Sequence, residues 1–270
     1  MKILFALGGI LLLALVSCKD AAHTRNEDAG EDLVKKEELH WTYTGESGPE
    51  HWAELESRSQ CGGERQSPVN IIDIQAEADP SLGPLDLHYY GEVRIHEVTN
   101  NGHTIQYNFE EGDYISLWDV RYDLKQIHFH EAAEHTLNGV RYPLEMHMVH
   151  VNAANEIAVF AIMAEEGESS EPFTFLEQYL PLNPGETKII DASFDLNLNL
   201  PRSRDYYVYE GSFTTPPCTE GVIWIIFKEP ITVSVEQVKE LQRLMPLNNY
   251  RGEQPLNGRV VKRYDFPYNY

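Results

Sequence analysis

The feature that most constrains this chain is a run of segments suited to β-strands. HTIQYNFE, DLKQIHFHE, LEMHMVHVN, EIAVFAIMA, RDYYVYEGSF and GVIWIIFKE follow one another between residues 103 and 229. They are rich in β-branched and aromatic residues, and clusters of Gly, Pro, Asn and Asp separate them. Helical signals are few. Residues 235–245 carry one, with Ser234 as N-cap and Gln237 three residues on, the pattern of a capping box. Residues 172–180 carry a shorter one. Strand and helix patterns do not alternate, which argues against a parallel α/β barrel or a doubly wound sheet. The chain reads as one mainly β domain, without internal repeats.

The first forty residues are of another kind. Met1-Lys2 is a short positive region, and Ile3 to Val16 is an apolar run too short to span a bilayer. Residues 1–17 therefore read as a secretion signal. They lead into Leu15-Val16-Ser17-Cys18, which is similar to the bacterial lipoprotein signal, in which the cysteine is lipidated and becomes the new N-terminus. Residues 18–38 are charged and lack aromatics, a composition that cannot bury enough surface to order itself, and they read as a tether. The folded domain is expected over 39–270, exported to the periplasm or cell envelope and held on a membrane by its lipid. The chain has three cysteines. With Cys18 lipidated, Cys61 and Cys218 remain, as a disulfide in an oxidising compartment or as two free buried thiols. The formal net charge of −22 excludes a nucleic-acid partner, which needs a basic face, and reads as a solvated surface.

QIHFHEAAEHT, residues 126–136, concentrates histidine and glutamate. Successive strand residues point to opposite faces. In DLKQIHFHE, Gln126, His128 and His130 share one face, and Ile127 and Phe129 the other. In LEMHMVHVN, Glu145, His147 and Val149 share a face, and Met146, Met148 and His150 its opposite. Two such strands can present His128, His130 and His147 to one point. Three imidazoles with an open fourth position are the pattern of a catalytic zinc site. Ligand histidines also need acceptors that fix the tautomer, and Gln126 and Glu145 each precede a histidine by two residues on its own face. A helical H-E-x-x-H zinc motif fails, because Glu134 stands four residues after His130; the inverted motif fails because Glu131 stands four before His135. A cupin barrel, with His128, His130 and Glu134 as ligands, remains a rival on spacing alone. His40, His51, His88, His96, His135 and His150 carry no metal role; His135 and His150 are expected to be buried and hydrogen-bonded.

Segments distant from these histidines add a family likeness. GERQSPVNI, NNGHTIQY, QIHFHEAAEHT, LEMHMVHVN, EGSFTTPPCTEGVIW and NYRGEQPLNGR, in this order, resemble the alpha-class carbonic anhydrases from about Trp41 to Arg259. The likeness is to the bacterial branch, where Cys61 and Cys218 would be paired. It implies a single domain on a large twisted, mostly antiparallel central sheet with a few short peripheral helices. It implies reversible hydration of carbon dioxide to bicarbonate by zinc-bound hydroxide, with Zn2+ on His128, His130 and His147, supported by Gln126 and Glu145. Thr214 would orient the hydroxide while bonded to Glu134, with Thr215 in the same cavity. His103 would shuttle the proton, with Asn101, Gln106 and Tyr43 on the polar side. Val149, Val159, Phe213 and Trp224 would form the apolar wall that receives carbon dioxide. Ser67-Pro68 and Pro216-Pro217 would be cis. The family leaves room for a homodimer and for an inactive binding or adhesion protein on the same scaffold. Glu131, Phe213 and Gln106 depart from the residues common in animal members.

Overall fold

The computed structural model describes residues 40–55 and 58–267. The expected signal 1–17, the tether 18–38 and Cys18 lie outside the described residues. In chain order the strands are β1 (Asn70–Ile71), β2 (Glu77–Ala78), β3 (Asp86–His88), β4 (Val93–Asn100), β5 (Ile105–Phe109), β6 (Tyr114–Leu117), β7 (Val120–His130), β8 (Thr136–Leu137), β9 (Leu144–Asn152), β10 (Ile157–Glu166), β11 (Thr187–Phe194), β12 (Tyr206–Ser212), β13 (Glu220–Phe227), β14 (Ile231–Val233) and β15 (Lys262–Tyr264). The α-helices are α1 (Trp52–Leu55), α2 (Glu171–Glu177) and α3 (Val235–Leu244).

Thirteen strands form one sheet, whose main path runs β11-β4-β5-β7-β9-β10-β13-β12-β15-β2. Most neighbours are antiparallel, as expected from the sequence. The exceptions in this sheet are β10 with β13, β10 with β14 and β15 with β2, which are parallel. All six segments picked out by their strand character form strands. The sequence reading passed over β4 and β11, which close one side of the sheet.

Both faces of the central strands are covered, and alternation decides what each side chain meets. Ile127, Phe129, Met146, Met148, Phe160, Ile162, Ile225 and Phe227 enter the larger core. Phe173 and Leu176 of α2 and Val238 and Leu241 of α3 join it, so the two helices cover this face. Ser234 and Gln237 cap α3 reciprocally, and Gln237 also bonds both backbone groups of Ser170, the N-cap of α2. One residue thus ties together two helix N-termini. On the other face Val149, Val159, Ala161, Trp224, Ile226, Tyr207 and Tyr209 form a second apolar cluster beside the histidines.

A third cluster joins Tyr43, Trp52, Cys61 and Cys218, with Trp41 packed against it. Cys61 and Cys218 are bonded across a sequence separation of 157. Gln60 N–H donates to Pro217 O, and Cys218 N–H donates to Thr215 O. The disulfide therefore fastens the N-terminal aromatic segment to the loop that carries Thr214 and Thr215. Ser67-Pro68 and Pro216-Pro217 are cis, as are Leu180-Pro181 and the non-proline bond Glu131-Ala132.

Closing so long a loop removes much entropy from the unfolded chain, with a ceiling of about 5 kcal/mol. Replacing Cys61 and Cys218 by serine is predicted to lower unfolding free energy by about 2–5 kcal/mol in denaturant titrations. An unchanged midpoint would contradict the role given to this bond.

Candidate active site

β7 and β9 pair in a register that sets His128 opposite His147 and His130 opposite Glu145. β5 places Gln106 opposite His128. In a neighbouring row Gln126 opposes Val149, Val149 opposes Val159, and Val159 opposes Trp224. Polar and apolar residues thus lie side by side on one sheet face because strand order and register put them there. The rival cupin arrangement is not formed: His130 and Glu134 are 3.5 Å apart, but the three-histidine group includes His147 rather than Glu134.

His128, His130 and His147 each bring one ring nitrogen into a group whose atoms all lie within 4.8 Å of one another. The other ring nitrogen of each is already engaged. Nδ1–H of His128 donates to Gln126 Oε1 at 2.9 Å, Nδ1–H of His130 to Asn249 O at 2.7 Å, and Nε2–H of His147 to Glu145 Oε1 at 2.7 Å. These outward bonds fix the tautomers and leave three lone pairs converging. His128 Nε2 and His147 Nδ1 then face each other at 3.2 Å with no proton to share. His130 Nε2 is buried without a hydrogen-bond partner. A tetrahedral ion with ~2.0–2.1 Å bonds to nitrogen requires nitrogens roughly 3.3–3.4 Å apart, close to that spacing. Burial also pushes His128 well below the ordinary imidazole value, His130 down to about 4 and His147 down, so all three are neutral, the form that binds a metal. The residues fit a cation.

Behind His147 stands a directed chain of hydrogen bonds. Glu145 is fully buried; burial pushes its carboxyl up, but His135 and His147 outweigh this and hold it well below the carboxylate range. Its Oε1 also accepts from His135 Nδ1–H at 2.7 Å, and its Oε2 accepts the backbone N–H groups of Glu134 and His135. His135 Nε2, left as an acceptor, takes the Tyr209 hydroxyl at 2.7 Å. Tyr209 Oη is 2.8 Å from Ser67 Oγ, which accepts Ser212 N–H at 3.1 Å. Only one set of donors satisfies every member: Ser212 to Ser67, Ser67 to Tyr209, Tyr209 to His135, His135 to Glu145. Gly211 permits the close approach, since a Cβ there would collide with Ser67 Oγ. His135, Glu145 and His147 also cluster tightly enough to hold an ion, but their atoms are committed to one another.

The cavity over the three histidines has a volume of ≈ 200 Å³. Its lining includes the apolar Val149, Val159, Phe213 and Trp224, the polar Asn101, His103, Gln106 and Tyr43, and Thr214, Thr215 and Gln126 with the three histidines. All the expected cavity residues are therefore together. Burial and the nearby Glu134 raise Tyr43 well above the usual phenol value, so it stays neutral. Asn101 holds its own loop in shape, because its Oδ1 accepts the N–H groups of His103 and Thr104. Glu134 is fully buried behind the cavity, and its Oε1 accepts Arg251 N–H at 2.9 Å. Burial raises it to about 7, against the pull of His147, while a contact with the Thr214 hydroxyl lowers it; Oε2 has no well-formed hydrogen bond.

Sequence reasoning missed three residues here. Asn249 is buried; its backbone carbonyl orients His130, and its side chain binds Glu131 N–H, His103 O and Phe129 O. It links the His103 loop to β7. Trp41 stacks on His103 with ring centroids 3.7 Å apart. Tyr209 supports His135. A backbone acceptor leaves no local signal; NYRGEQPLNGR gave Asn249 a place in a motif, but no role.

A family profile described as eukaryotic-type carbonic anhydrase matches residues 47–265. The chain belongs to the alpha-carbonic anhydrase family. A carbonic anhydrase of Klebsiella pneumoniae is 41% identical over 227 residues, spanning 82% of this chain and 90% of that protein. The structure of the alpha-carbonic anhydrase from Thermovibrio ammonificans, in complex with the inhibitor sulfanilamide, superposes with a TM-score of 0.79 at 40% identity, covering 83% of this chain and 98% of that one. Dioscorin, in a complex with ascorbate, has the same fold with a TM-score of 0.77 at 32% identity, covering 84% and 98%. The departures from animal carbonic anhydrases have defined places. Phe213 lines the cavity, Gln106 donates to Asn108, and Glu131 accepts from Gln242.

Tyr209→Phe cuts the chain behind His147 without changing its bulk. It leaves a buried acceptor on His135 unpaired, which costs about 1–3 kcal/mol of stability. Metal affinity is predicted to fall about tenfold, read by competition with a chelator, because Glu145 is held less rigidly. Unaltered affinity would show that His147 needs no support beyond Glu145.

Proposed function

We propose that the protein hydrates carbon dioxide reversibly to bicarbonate with a zinc ion held by His128, His130 and His147. The observation that carries this reading is the set of three converging, neutral and otherwise unpartnered ring nitrogens, each opposite an occupied one. Family membership supports the same chemistry. Zinc supplies a hydroxide nucleophile near neutral pH by lowering the pKa of water to ≈ 7, carbonic anhydrases being the standard instance.

The chain's own residues do the rest. Val149, Val159, Phe213 and Trp224 offer carbon dioxide a dry apolar surface beside the histidines. Thr214 would accept a hydrogen bond on its ion-facing side while its own O–H donates to Glu134, which is short of one donor at Oε2. Thr215, Asn101, Gln106 and Tyr43 border the polar side, where water can be ordered. His103, half-buried at that side, takes up the proton released in each cycle and passes it outward. Phe213, larger than the leucine common at this place, narrows the apolar side.

The reading extends to location. The buried Cys61–Cys218 disulfide is at home outside the cytoplasm. Among the described residues no helix is long and apolar enough to cross a membrane. Removal of residues 1–17, lipidation of Cys18 and a tether to residue 38 would hang the domain 39–270 on a membrane in the cell envelope. Detergent-phase partitioning that survives Cys18→Ser would contradict the anchor.

A binding protein on this scaffold, as dioscorin with ascorbate illustrates, is the competing reading, and one pair of substitutions separates the two. His147→Ala is predicted to abolish stoichiometric zinc and to lower carbon dioxide hydration on the order of 10³-fold. His103→Ala is predicted to keep zinc, to lose about tenfold in kcat only at limiting buffer, and to recover with added imidazole. Wild-type protein that binds zinc but lacks hydration activity would favour the binding reading.

A further inference from the structure

Among the described residues lining the cavity, His103 is the one imidazole besides the three converging histidines. It does not stand free in solvent. Trp41 stacks on one face of its ring at 3.7 Å and 12°, and Tyr43 meets it edge-on at 6.2 Å. Its backbone is pinned at both ends, N–H to Asn101 Oδ1 and C=O to Asn249 Nδ2. A buffer molecule, bulky and hydrated, therefore meets a ring with one face covered and its loop held in place. His40 lies just beyond, exposed, with its ring centroid 5.2 Å from that of His103 and the planes inclined at 39°. At that separation one bridging water can carry a proton between the two rings.

We infer that His40 is a second proton-relay residue, taking the proton from His103 and delivering it to bulk buffer. This rests on the reading of His103 as the shuttle. In the transfer an N–H bond of the His103 imidazolium breaks, and a lone pair on a ring nitrogen of His40 forms the new N–H bond. His103 returns to neutral, and His40 becomes imidazolium until a buffer base removes the proton. No electrons change hands.

Burial, and then the neighbouring His40, press His103 below the ordinary imidazole value. A proton on His103 is held weakly, and the two rings do not readily carry a charge together. Both residues come from the short stretch His40-Trp41-Thr42-Tyr43 meeting the Asn101–Thr104 turn, so the aromatic clamp and the relay are built by one contact.

The test uses the zinc-loaded mature protein and the variants His40→Gln, His103→Ala and their combination. Carbon dioxide hydration is measured by stopped flow at limiting and at saturating buffer. His40→Gln is expected to lower kcat about threefold at limiting buffer, to leave kcat/KM unchanged, and to match wild type at saturating buffer. In the His103→Ala background it should cause no further loss, because the two act in series. A normal kcat for His40→Gln at limiting buffer, with His103→Ala impaired, would overturn the relay and spare the shuttle. Losses that multiply in the double variant would make the two independent donors, which also overturns it. If His103→Ala is unimpaired at limiting buffer, the shuttle falls and the relay with it. A second readout needs no turnover: in NMR titration, His40→Gln should raise the His103 pKa toward the ordinary value. An unshifted titration would show that the rings are uncoupled.

Discussion

His147 and the hydrogen-bond network behind it depend on one buried carboxylate. Glu145 receives four N–H donors: His147, His135 and two backbone amides of the turn that follows β7. A charge taken out of water is costly unless hydrogen bonds replace the solvent, and charge-assisted bonds of this kind do so. With Oε1 facing His147 Nε2, the proton on that ring must point away from the cavity. The same oxygen sets His135, and through it Tyr209 and Ser67. The tautomer of His147 is thus fixed by a network anchored on β12 and on the loop before β1.

Sheet geometry turns that local constraint into a working cavity. Register alone brings His128 opposite His147, and the neighbouring row is Gln126, Val149, Val159 and Trp224. Adjacent rows of one pleated face thus set the polar Gln106, His128 and His147 beside the apolar Val149, Val159 and Trp224. The larger core on the opposite face, covered by α2 and α3, keeps the strands in register. The disulfide adds a fixed seam between the aromatic N-terminal segment and the Thr214 loop.

Much of this was legible in the sequence because strands obey a period of two. Gln126, His128 and His130 had to share a face, and so did Glu145, His147 and Val149. The motif blocks then named Thr214, Glu134 and His103. What stayed hidden was non-local. β10 lies parallel to β13, and neither segment announces its partner, since both are apolar on both faces. Asn249 orients His130 through a backbone carbonyl, a group every residue has. Trp41 stacks on His103, a contact between distant parts of the chain. β4 and β11 at one side of the sheet carry Arg, Lys, Glu and Asp among their apolar residues, which weakened their pattern.

Three imidazoles with fixed tautomers would converge on a single cation and leave one place for solvent. X-ray absorption at the zinc edge of the metal-loaded protein tests this arrangement directly. The expected spectrum shows imidazole multiple scattering from three nitrogens at ~2.0–2.1 Å and a single light oxygen scatterer. Sulfur in the shell, or fewer than three imidazoles with carboxylate oxygens in their place, would contradict it.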